Sequence, residues 1–164
     1  MKSTNTNKRP WNRINTPVYS LLTRNGEHWN MNIATYVTAV SMQPKRMGIC
    51  VYHHTLTHFN VQKEQTLVLQ LLASTQYRLV KQLGFQSGRD TDKMKKLLQR
   101  NELMQWKQYP VLKHALAVME LMPQQMMAAG DHDLWIADVI SWKNLNDGIA
   151  LTLDDLRAHN LIRI

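Results

Sequence analysis

The residues most able to do chemistry cluster between Asn32 and His58, a stretch that opens with small and hydroxyl side chains: Ala34, Thr35, Thr38, Ala39 and Ser41. It closes on His53, His54, Thr55, Thr57 and His58. Hydroxyl-bearing residues at a helix start leave unpaired N–H groups that suit an anion. A strand of small side chains lets a flat ring approach the backbone. A planar group along the strand and a phosphate at the helix entry would describe a nucleotide-like cofactor. The plainer reading is an ordinary hairpin followed by a capped helix, since such caps are common. The histidines raise a third possibility, because His54 and His58 stand four apart, a metal-ligand spacing if both lie on one helix. The helix is expected to start between them, so their directions differ, and no neighbouring acidic residue or cysteine completes a set. No metal site is expected.

The elements that must position these residues follow from pattern. Val37 and Val40 give the opening stretch strand character, and Pro44 breaks it. Met47 to Tyr52 reads as a second strand, with Thr55 or Thr57 as the cap of the helix that runs to Lys63. Upstream, Pro17 to Thr23 and a strand from near Trp29 flank Asn25-Gly26, a strong hairpin signal. Residues 17–53 therefore read as a three-stranded meander. Thr66 to Leu72 is a continuous apolar run, expected to be a strand buried on both faces. Ser74 to Leu83 reads as a helix capped by Ser74 and stopped at Gly84.

Ser87-Gly88-Arg89-Asp90 forms a loop whose amides could make an anion-binding concavity, with Arg89 adding a donor fork. A plain inter-helix loop is the alternative. Thr91 or Asp92 caps a helix from Lys93 to Gln99. Residues 101–113 read as irregular. His114 to Met127 and Asp133 to Trp142 read as strands joined at Ala129-Gly130-Asp131-His132, with Pro123 marking an edge or a bulge. Met119, Met122, Met126 and Met127 are expected to fill core or interface rather than bind metal. Thr152 caps a short terminal helix with Asp154 and Asp155 in its first turn.

On these residues the chain resembles the flavin reductase-like family, whose fold is the FMN-binding split β-barrel. The resemblance rests on Asn32, Ala34, Thr35, Val37, Thr38, Val40, Ser41 and Pro44, then Thr57-His58, then Ser87-Gly88-Arg89-Asp90 with Asp92-Lys93, and finally Gly130-Asp131-His132, in that order. It implies a mainly β fold with flanking helices. It also implies flavin contacts at Ala34, Thr35, Tyr36, Val37, Thr38, Tyr52, Thr55, Thr57, His58, Ser87, Gly88, Arg89 and Lys93. His132 would lie near the ring and the nicotinamide, as the catalytic residue. FMN is the implied cofactor, with FAD as the alternative, and NAD(P)H the transient co-substrate; a homodimer and an unidentified electron acceptor are the implied partners. Two departures stand out: Met94, where the family usually carries an aromatic, and the run Met122-Pro123-Gln124-Gln125-Met126-Met127, where it tends to have a charged or cysteine-bearing strand.

Composition bounds the remaining possibilities. With 164 residues and 44% apolar content, one domain with a substantial core is expected, residues 17–164, preceded by a flexible basic arm, residues 1–16. No stretch approaches the ~20 apolar residues of a membrane span, and the N-terminal sequence lacks the apolar centre of a secretory signal; a cytoplasmic protein is expected. The net charge of +8 divides into +12 over residues 1–113 and −4 over residues 114–164. The basic half suits a phosphorylated cofactor. Its cations do not interleave with aromatics, so nucleic acid is not the expected partner; the alternative to a flavin reductase is a non-catalytic FMN carrier or a basic nucleic-acid-binding module. Cys50, the single cysteine, reads as a small apolar strand residue. No GxGxxG is present. That fits a protein in which the cofactor carries the redox chemistry and the chain supplies binding, orientation and electrostatics.

Overall fold

The structure, a computed structural model, describes residues 9–162. Alternation dictates its centre. Along β1 (Tyr19–Asn25), Leu21 and Leu22 are both fully buried yet belong to different apolar clusters, because successive strand side chains point to opposite faces. β5 (Leu67–Leu71) repeats the division: Leu67 and Leu69 join Leu21, while Val68 joins Leu22. Its burial on both faces matches the apolar run in the sequence.

The seven-stranded antiparallel sheet has the order β2-β1-β5-β8-β9-β4-β3. Its remaining strands are β2 (His28–Ala34), β3 (Val37–Ser41), β4 (Arg46–Tyr52), β8 (Ala117–Ala129) and β9 (His132–Asn144). β2 and β3 occupy the two ends of this order, although only Thr35 and Tyr36 separate them in the chain. Two ends so tethered force the sheet to close. At the start of β3, Cys50 N donates to Tyr36 O at 2.9 Å and extends the β3–β4 pairing one residue past Val37 and Ile49. The expected three-stranded meander is thereby corrected: residues 17–53 form four strands in two hairpins, and β2 and β3 are not paired. The passage from Ile33 to Val37 holds no glycine or proline, so nothing local signals that the chain leaves one hairpin and enters another.

One cluster, Leu21, Ala34, Met47, Ile49, Val51, Leu67, Leu69, Leu121 and Ala137, draws on strands all around the sheet and is closed by Val61 of α1 (Leu56–Val61). The other cluster packs the opposite face against α2 (Val80–Gly84), α3 (Lys93–Gln99), α4 (Leu153–Ala158) and a separate hairpin, β6 (Leu103–Trp106) with β7 (Tyr109–Leu112). That hairpin corrects the expectation of irregular chain over 101–113. Its turn places Lys107 at φ 52°, a conformation usually signalled by glycine or asparagine. The Lys107 ammonium is held by Glu120 and Ser141, which offsets the unfavourable turn.

Local signals elsewhere were followed closely. Thr55 caps α1, Asp92 caps α3, and Thr152 forms a reciprocal box with Asp155. Ser74 does not cap its segment. Residues Ser74–Leu79 form a 3₁₀ helix, and the Gln76 side chain accepts from Ala73 N at 2.9 Å in its place. Pro123 falls at a register shift and beyond Leu121, the last β8 residue to pair with β5, so it lies on a free edge as well as at a bulge. Within the expected N-terminal arm, Leu153 N donates to Thr16 O and Arg157 to Ile14 O, while Asn15 Oδ1 accepts from Asp154 N; residues 1–8 lie outside the described residues.

Candidate functional site

The two-residue passage from β2 to β3 and the turn from β4 into α1 enclose two adjoining cavities. The first, about 260 Å³, is lined by Asn32 to Tyr36, Cys50, Val51, Tyr52, Thr57 and His132. The second, about 320 Å³, runs from Asn30, Asn32 and Tyr52 past His53 to Thr57 and on to Gly84–Gly88 and Lys93. Asn32, Tyr52 and Thr57 line both, so the two form one cleft. Together they fall in the ~300–1,000 Å³ range of small-molecule sites.

One end of the cleft is aromatic. Tyr36 and Tyr52 are more than half exposed, and the His132 ring sits 5.3 Å from the first and 5.2 Å from the second. His132 stays oriented because its Nδ1 lies 2.6 Å from Asp131 Oδ1, and this hydrogen bond holds the Asp131 carboxyl below the usual carboxylate range. Cys50 lies in the same wall, half-buried, and burial pushes its thiol up, away from thiolate reactivity.

The other end is polar and tightly built. Thr55 Oγ1 accepts from His58 N at 3.1 Å and donates to Tyr52 O at 2.9 Å. Thr57 is buried, and its hydroxyl accepts from Asn30 Nδ2 at 3.1 Å. Ser87 Oγ accepts from Arg89 N at 3.1 Å, turning the loop so that Ser87 and Gly88 face the cleft. A Cβ at Gly88 would stand 2.2 Å from Asn30 Oδ1 and 3.0 Å from Leu56, so only glycine lets the loop come this close.

Of the residues singled out in the sequence, Ala34, Thr35, Tyr36, Tyr52, Thr55, Thr57, Ser87, Gly88, Lys93 and His132 meet at this cleft. Lys93 does so as a buried group: its ammonium donates to Leu83 O at 2.6 Å and Met31 O at 3.1 Å, and burial lowers its pKa to about 8. Four others are placed elsewhere. Val37 packs on the inner cluster, Thr38 is exposed on β3, and Arg89 is exposed and lines a groove beside α3 that adjoins the second cavity through Asn30, Leu56, Gly88 and Lys93. His58 turns to Asp133, with Nε2 2.7 Å from Oδ2, while His53 Nε2 lies 2.9 Å from Oδ1 of the same carboxylate. The expectation that no acidic residue completes a set with these histidines is corrected: Asp133 is 75 positions beyond His58 and comes to it only because β9 pairs with β4. Asn30 was missed as well, although it shares a face of β2 with Asn32.

The flavin reductase-like domain family matches residues 11–159. The chain belongs to this family. Its fold is the FMN-binding split β-barrel, mainly β with a few helices. Among solved structures of flavin reductase-like folds, it is similar to an FMN-binding protein from Thermus thermophilus with bound p-hydroxybenzaldehyde, at 24% identity, TM-score 0.76, covering 93% of this chain and 90% of that one. It is also similar to the NADH:FAD oxidoreductase of Streptomyces globisporus, at 18% identity, TM-score 0.78, covering 88% and 84%. A high molecular weight rubredoxin of Moorella thermoacetica is 28% identical over 137 residues, 82% of this chain but 58% of the relative, so the chain spans little more than half of that protein. Among the described residues no helix is long and apolar enough to cross a membrane.

Proposed function

We propose that this chain binds FMN in the cleft, with FAD as the alternative flavin, and passes a hydride from NAD(P)H to an acceptor. The observation that carries the reading is the shape of the cleft: an aromatic chamber and a polar chamber share Asn32, Tyr52 and Thr57, in a chain of the flavin reductase-like family. A bound flavin supplies the two-electron chemistry, and the chain's residues supply position and charge. Tyr36 and Tyr52 offer apolar faces to a planar ring. His132, held through Nδ1 by Asp131, keeps Nε2 available to hydrogen-bond an incoming nicotinamide or the ring edge. Ser87, Gly88 and Thr55 form the wall for the phosphorylated tail, and Lys93 acts behind them by tying β2 to α2. The basic excess of residues 1–113 favours the same anionic ligand.

The absorbance spectrum of freshly purified protein tests binding, and NADH or NADPH oxidation dependent on added FMN tests turnover. Expected are a flavin spectrum and FMN-dependent oxidation, both weakened in Tyr52→Ala and the second in His132→Ala. Flavin retention without turnover would identify a carrier. Failure to retain any flavin, with no oxidation, would remove the assignment.

A homodimer is proposed through the β8–β9 ribbon. Beyond β5, the outer half of β8 pairs with β9 alone, and Met122, Met126, Met127, Ile140 and Trp142 of these two strands are exposed. Met-rich apolar surface of this kind suits a second copy of the chain, and light scattering of the wild type against Met126→Lys/Trp142→Lys checks it. A cytoplasmic location completes the reading.

A further inference from the structure

We propose that His53, His58 and Asp133 hold a divalent transition-metal ion, of the zinc class. One donor atom from each of the three residues lies within 4.8 Å of the other two. Each comes from a different part of the chain: the turn directly after β4, the first turn of α1, and the start of β9. Two imidazoles with one carboxylate is a donor set for zinc, iron, cobalt or nickel rather than for magnesium or calcium.

The cluster is more than a hydrogen-bonded histidine. Both rings present Nε2 to the same carboxylate, one to each oxygen. The Asp133 side chain is 8% exposed, and among the described residues its only ion-pair partners are these two imidazoles. The imidazoles remain 28% and 17% exposed, which leaves an ion a way in. The backbone is fixed at all three points. His53 N donates to Asp131 O, His58 N donates to Thr55 Oγ1, and Asp133 is paired with Val51. His54, between the two ligand histidines, sits at φ 64°, a left-handed conformation that non-glycine residues seldom hold without reason. That turn leaves His54 outside the converging set and carries the chain into α1.

Donors around a tetrahedral ion at ~2.1 Å stand about 3.4 Å apart, so the carboxylate and the imidazoles need to part by roughly half an ångström to admit one. The Gln62 amide, 3.4 Å from His58 Nε2 and one helical turn further on, is placed to supply an oxygen at the fourth position, since amide orientation is interchangeable; water would fill it otherwise. The ion would join the β4–α1 turn to β9, the two elements that carry Tyr52 and His132.

Untagged protein, stripped with a chelator, is titrated with Zn²⁺ by calorimetry and with Co²⁺ by absorbance. Expected is one equivalent per chain at micromolar affinity, with a cobalt spectrum of low coordination number. His58→Ala and Asp133→Asn should weaken binding on the order of 100-fold or more, beyond what loss of a supporting contact costs. His53→Gln and His58→Gln, at partly exposed positions, give the same loss in folded protein, and His54→Ala gives none. The proposal is overturned if the wild type takes up no metal, if His58→Gln and Asp133→Asn bind as it does, or if His54→Ala loses binding equally.

Discussion

Asn30 Nδ2 donates to Thr57 Oγ1 across 3.1 Å, and this buried bond joins β2 to the first turn of α1. It fixes the corner at which the two chambers of the cleft meet. In Asn30→Ala the Thr57 hydroxyl loses its partner inside the protein, at a cost of about 1–3 kcal/mol. The expected readout is a lower denaturant midpoint together with weaker flavin retention. A midpoint unchanged from wild type would mean the corner does not depend on this bond.

Gly88 presses on the same asparagine. In Gly88→Ala the new methyl must displace Asn30 Oδ1, which would stand 2.2 Å away, and Leu56 closes the other side. Overpacking of this kind costs about 1–3 kcal/mol. Gly88→Ala should therefore resemble Asn30→Ala in stability and in flavin affinity, and the double variant should cost less than the two single changes together. Full additivity would show that the two substitutions act separately.

Glu120 anchors the β6–β7 hairpin. Burial raises its carboxyl, but hydrogen bonds from Lys107, Tyr109 and Ser141, with the Lys107 charge, outweigh burial and hold it below the usual range. A carboxyl lowered by folding adds stability above its unfolded pKa, and that stability is lost as pH falls through the folded value. Glu120→Gln should cost about 1.5–3 kcal/mol near neutrality. The difference from wild type should shrink on acidification, as urea midpoints at pH 7 and pH 4 would show.

Lys93 acts in the opposite region of pH. Its pKa falls from 10.5 to about 8 because burial disfavours the ammonium. Between those values the unfolded chain binds more protons, so stability rises with pH. Relative to Lys93→Met, wild type should gain roughly 2 kcal/mol between pH 7.5 and pH 9.5. A constant difference over that interval would show that the carbonyls of Met31 and Leu83 keep the ammonium fully charged.

Much of this architecture is written in short-range signals. The caps at Thr55, Asp92 and Thr152, the Asn25-Gly26 turn and the doubly buried β5 each follow from a few neighbouring residues. Features set by distant pairing were less legible. The passage of Thr35 and Tyr36 from one sheet edge to the other depends on the whole strand order. The Lys107 turn is rescued by Glu120 and Ser141, 13 and 34 positions away.

The cleft divides in the same way. Its hydroxyl and glycine residues stand in recognisable runs, whereas Asn30 depends on how β2 faces α1, and Asp133 on the β4–β9 register. Arg89 has the right chemistry, but the Ser87 turn sets it in the adjoining groove beside α3, which shares Asn30, Leu56, Gly88 and Lys93 with the cleft. Residue type alone carries no direction.

Thr35 and Tyr36 also button the barrel shut, since the chain between its two margins is that dipeptide, with Tyr36 held to β4 by Cys50 N. A guest resting there sits astride the fastening. Its release and the loosening of that fastening then become one event, so the empty protein should gape first at this point, and a protease should nick it between Ala34 and Val37 while sparing the loaded form.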